Sequence, residues 1–125
     1  MKVKLKLTQY DFLENKENVI AEGNAILDKN QLKYKENKEN AFHFVTFTSE
    51  TVRLERKCDI SSTTILNNGK WGHSTVKSPY GDMEMKTKTY NISMQDREWS
   101  VEYGVFSGNE EVLHQKLLWV MEYYS

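Results

Sequence analysis

One cysteine, Cys58, and one proline, Pro79, are present in a chain of 125 residues. A lone thiol excludes an intrachain disulfide, so the core alone must hold the fold, and a reducing, cytoplasmic setting is expected. Scarce proline leaves nearly every backbone N–H free to donate, which suits long strands in a ladder. Charge of either sign is not in surplus: 17 Lys and Arg stand against 18 Asp and Glu, for a net charge of −1. That balance offers no field for a phosphate backbone or an anionic bilayer, so neither nucleic acid nor a membrane is an expected partner. Only Arg53, Arg56 and Arg97 supply the planar fork that grips carboxylates or phosphates. No apolar run has the length of a signal sequence or a membrane-spanning helix. Gly-x-Ser-x-Gly, P-loop, His-Glu-x-x-His and dinucleotide glycine patterns are absent, so a protein that is not an enzyme and carries no cofactor is expected.

Apolar residues make up 38% and aromatic residues 12% of the chain, enough for one packed core, and one domain over residues 1–125 is expected. The dominant period is two. Val3, Leu5 and Leu7 alternate with Lys2, Lys4 and Lys6, as in a strand with one wet face. Similar alternation runs through Leu32 and Tyr34, through Val52 and Leu54, and from Trp99 to Val105. The polar stretch 10–18 reads as a loop before a strand starting near Val19, with Gly23 as a bulge or bend. Asn68-Gly69 predicts a type I′ hairpin, and Ser78-Pro79-Tyr80-Gly81 a second turn. Apolar parity flips between Met85 and Ile92, which requires a bulge near residues 86–89. Residues 110–124 fit an amphipathic helix or a strand. The β-branched and aromatic run Trp119–Tyr124 and the preceding hairpins decide for a strand.

The pattern predicts an all-β antiparallel meander of about 8–10 strands, which must close or become a sandwich to hide its edges. The stretch Ser78-Pro79-Tyr80-Gly81-Asp82-Met83-Glu84-Met85-Lys86-Thr87-Lys88-Thr89, followed by two closing strands, resembles the YwiB-like family of uncharacterised bacterial proteins. Residues from Gly23 to Tyr34 are similar to that family's paired second and third strands. The resemblance implies a calycin, or lipocalin-like, barrel, and it implies no catalytic residue.

If such a barrel is hollow, its lining shares the inward parity of the clearest strands, here Phe44, Val52, Leu54, Trp71, Tyr103 and Trp119. Arg56 and His73 fall near strand ends and are expected at the mouth, facing the polar head of a small, partly apolar ligand. The rival is a filled core acting as an interaction module, with the two-sided apolar segment Phe42–Phe47 joining a homodimer. His43, His73 and His114 sit on separate strands without mutual spacing, so no metal site is expected. Cys58, beside Lys57 and Asp59, reads as a plain thiol.

Overall fold

The lysines at alternate positions of the first strand turn Val3, Leu5 and Leu7 to the same side, where all three are fully buried. The computed structural model describes residues 1–124. Its first five strands are β1 (Lys2–Asp11), β2 (Lys16–Asp28), β3 (Gln31–Lys35), β4 (Phe42–Phe47) and β5 (Thr51–Lys57). The other five are β6 (Ser61–Asn67), β7 (Lys70–Ser78), β8 (Gly81–Gln95), β9 (Glu98–Ser107) and β10 (Glu110–Tyr123). Each strand pairs antiparallel with the next, and β10 returns to β1 in a register running from Val3 opposite Tyr123 to Asp11 opposite Gln115. The sheet is therefore a closed ten-strand barrel with no open edge among the described residues. Residues 110–123 are the strand that the pattern predicts, and no helix of the described residues is long and apolar enough to cross a membrane.

Two local expectations change. Residues 16–18 belong to β2 rather than to a loop, because Asp11 pairs with Lys16 and shortens the turn to residues 12–15. The Asp11 carboxylate accepts the backbone N–H of Leu13 at 3.0 Å and of Glu14 at 3.1 Å. The turn at Asn68-Gly69 is not type I′, since only Gly69 takes positive φ, 74°. Asn68 is held by its N–H on the Glu50 carbonyl at 2.8 Å and by a bridge to Thr89.

One end of the interior is dry and packed. Phe47 stacks on Trp99 at 5.0 Å between ring centroids and meets Trp119 edge-on at 5.8 Å. Val3, Leu5, Ala25, Leu32, Val45, Val52, Leu66, Val101 and Met121 close around them. The bulge that reverses β8 lies at Thr89–Asn91, at the end of the expected stretch, so that Thr87 and Ile92 point inward while Tyr90 is expelled.

The structure overturns three inward assignments. Phe44 faces outward beneath the ammonium groups of Lys33 and Lys57, because Val45 and Phe47 take the inward positions of β4. The segment Phe42–Phe47 is thus an ordinary two-faced strand, with Phe42 and Phe44 outside. Trp71 is 56% exposed and lies edge-on to Phe106, and His73, two residues on, is exposed as well. The cause is Gly72 between them: a Cβ there would lie 2.0 Å from the Ile65 carbonyl oxygen and 2.6 Å from Thr87 Oγ1. The barrel wall folds onto itself at this point, and the inward side of β7 has room only for a hydrogen atom.

Candidate functional site

The inward rows of the strands do not stay apolar along their length. On β1 the sequence Val3, Leu5, Leu7 continues to Gln9, and on β3 Leu32 and Tyr34 lead to Glu36 just past the strand. On β5 Val52 and Leu54 lead to Arg56. The antiparallel partners run the other way, so His43 lies near the start of β4, Ser62 and Thr64 near the start of β6, and Gln115 precedes Leu117 and Trp119 on β10. All these polar ends therefore meet at one end of the barrel. They enclose a cup of about 250 Å³, with Leu7, Ile20, Leu54 and Leu117 on its walls and Trp119 at its floor.

A single hydrogen-bonded chain runs from floor to rim. Trp119 Nε1 donates to the Tyr34 hydroxyl at 2.9 Å, and that hydroxyl lies 3.4 Å from His43 Nδ1, its ring stacked on the imidazole. His43 Nε2 is 2.6 Å from Glu36 Oε1. Because the Tyr34 oxygen already accepts from Trp119, its proton goes to Nδ1, and Nε2–H becomes the donor to Glu36. Arg56 Nε donates to the same Glu36 oxygen at 2.6 Å, with Nη2 at 3.4 Å from the other, and Nη1 lies 3.1 Å from Cys58 Sγ. Across the cup Gln115 Nε2 donates to the Tyr103 hydroxyl at 2.5 Å, and Gln9 donates to Gln115.

The electrostatics follow from burial. Desolvation opposes ionisation of Glu36, yet the hydrogen bonds from Arg56 and His43 outweigh it and hold its carboxyl below the ordinary range. Burial depresses His43, only partly offset by Glu36, so the imidazole is neutral near pH 7. Burial pushes Tyr103 up to about 12 and raises Tyr34 as well, so both hydroxyls keep their protons.

Both shifts act on stability in the same direction. His43 and Glu36 each bind protons less readily folded than unfolded, so each contribution is full above the unfolded pKa and is lost as pH falls. The melting temperature should drop first below about pH 6.5, where unfolded histidine protonates, and again below about pH 4.5 as carboxylates do. In thermal melts from pH 8 to pH 4, His43→Gln should remove the upper step and keep the lower one. An unchanged upper step in that variant would exclude His43 as its source.

Of the residues that the sequence proposed, Arg56, Tyr103 and Trp119 line the cup, whereas Phe44, Trp71 and His73 lie outside it. Sequence reasoning missed Glu36, which opens the charged run 36–40, and His43, treated as isolated. Following the inward parity of β1, β3 and β10 past their apolar rows would have found Glu36, Gln9 and Gln115, whereas His43 needs the register of β4 with its neighbours. Among the described residues, no group of three His, Cys, Asp or Glu side chains is placed to hold a metal ion.

A closed antiparallel meander, packed at one end and hollowed into a polar cup at the other, has the calycin-like architecture. The chain belongs to the family described as a domain of unknown function, DUF1934, whose model matches residues 2–118. The crystal structure of the ywiB protein from Bacillus subtilis superposes with a TM-score of 0.70 at 14% identity, covering 99% of this chain and 92% of that one. At that identity the likeness concerns the fold. No curated protein matches the chain in sequence.

Proposed function

We propose that the chain is a noncatalytic binding protein whose cup takes a small, partly apolar molecule through the rim beside Arg56. The observation that carries this reading is the graded interior. A barrel built only for stability gains from a dry core throughout, whereas here buried polar groups converge on a cavity with an apolar wall. The floor at Trp119 is buried and packed, which limits the ligand to the cup.

Ligand binding to the folded state alone raises stability by mass action, by about 2.7 kcal/mol at a hundredfold excess over Kd. A broad metabolite panel read by thermal shift should contain compounds that raise the melting temperature with concentration. Leu54→Trp, which places a large ring in the cup, should abolish those shifts while unfolding stays cooperative. A panel without shifts, together with a native protein that takes up no apolar fluorescent probe, would defeat the reading.

A further inference from the structure

Resting on that binding reading, we propose that the cup takes its ligand as a compact organic monocarboxylate, together with one proton that lodges on His43. The first ground is the balance of donors. Glu36, the carboxylate of the network, is already spent on Arg56 and His43, and Glu55 is turned away to Arg53 and Lys57. Donors are left over: three of the five N–H bonds of Arg56 are used, and the Gln9 and Gln115 amides each carry an N–H beyond those spent within the chain. A carboxylate meets these groups, and an apolar body rests on Leu7, Ile20, Leu54 and Leu117. About 250 Å³ suits a ring-sized molecule better than a long chain.

The second ground is neutrality. Without ligand, Arg56 and Glu36 cancel and His43 carries no charge, so the network is neutral. An entering anion alone would leave an uncompensated charge in a largely buried site, which is costly. His43 is the group placed to correct this. The groups facing it are Tyr34 and Glu36 from β3 and its end and Arg56 from β5, with Glu39 and Cys58 beyond Arg56. Across the cup stand Gln9, Tyr103 and Gln115 from β1, β9 and β10. Protonation at Nδ1 keeps Nε2–H on Glu36 and directs a new N–H at the Tyr34 oxygen. The Tyr34 proton is thereby released to point into the cup as one more donor to the carboxylate. The bound anion raises the His43 pKa above its depressed ligand-free position, so between the two values binding takes up a proton and weakens as pH rises.

The test uses benzoate and its neutral isostere benzamide, titrated by calorimetry into the full chain between pH 5.5 and pH 8. Each titration is repeated in two buffers of different ionisation enthalpy, which counts protons directly. Benzoate should bind with net proton uptake and weaken as pH rises, by at most about tenfold per pH unit, the limit that one proton sets. Benzamide should bind more weakly and without pH dependence. His43→Gln keeps a donor for Glu36 but takes no proton, so its benzoate affinity should be lower, flat with pH and free of proton uptake. Proton-free benzoate binding by the wild type, uptake that persists in His43→Gln, or benzamide binding as tightly as benzoate would each overturn the proposal. The same holds if benzoate fails to bind while a panel compound does; in all these cases the cup remains a binding site. Failure of every compound overturns both readings, and the wild-type buffer comparison stands even if the variant does not fold.

Discussion

Gly72→Ala is expected to cost about 3 kcal/mol or more, a large loss for one added methyl group. Steric overpacking of a tight interior ordinarily costs about 1–3 kcal/mol, and more when the obstructing atoms cannot yield. Here the nearest atom, 2.0 Å from the new Cβ, is the backbone oxygen of Ile65, which also accepts the Thr87 hydroxyl at 2.8 Å. Moving that carbonyl breaks the hydrogen bond and disturbs the irregular β6–β7 register at Ile65–Asn67. Urea unfolding should show a lower midpoint with an unchanged slope. A variant within about 0.5 kcal/mol of wild type would mean that the wall can open there at little cost.

Trp119→Ala should destabilise by about 3–5 kcal/mol, as large aromatic truncations in cores do. Trp119 is fully buried, packs against Phe47 and anchors Tyr34 through its indole N–H. The same change opens the cup floor toward the packed end. Trp119→Phe separates the two roles: it keeps most of the packing and loses the donor to Tyr34, for about 1 kcal/mol. Equal losses in the two variants, measured by urea denaturation, would show that the hydrogen bond rather than the ring holds the floor.

The strands and their order were legible because alternation is a local property: each lysine-flanked apolar residue declares its own face. The meander follows from strands joined by short turns without a crossover, and its closure into a barrel from the family resemblance. The cup was only half legible. Arg56, Tyr103 and Trp119 continue unambiguous apolar rows, so parity alone turns them inward. On β4 both faces carry phenylalanine, and hydrophobicity cannot choose between them. Register with β3 and β5 decides, placing Phe44 opposite Lys33 and Glu55 and leaving His43 inside. Trp71 and His73 flank a glycine whose role depends on Ile65 and Thr87, and no local pattern reports that approach. Glu36 was hidden by composition, because it begins a charged run that otherwise stays exposed.

Nine of the ten strand pairings join neighbours in the chain, and the tenth joins β1 to β10. Hairpins between neighbours can form early and cheaply in loop entropy, but the seam must wait for the last strand. Until it does, β1 and the strand before the missing partner offer bare ladders to other molecules. The seam is therefore the pairing with the greatest sequence separation and the largest loop-closure cost in the barrel. Joining the two termini by a short linker, and opening the ring at a surface turn instead, would move that vulnerable interval to another seam without altering the finished barrel.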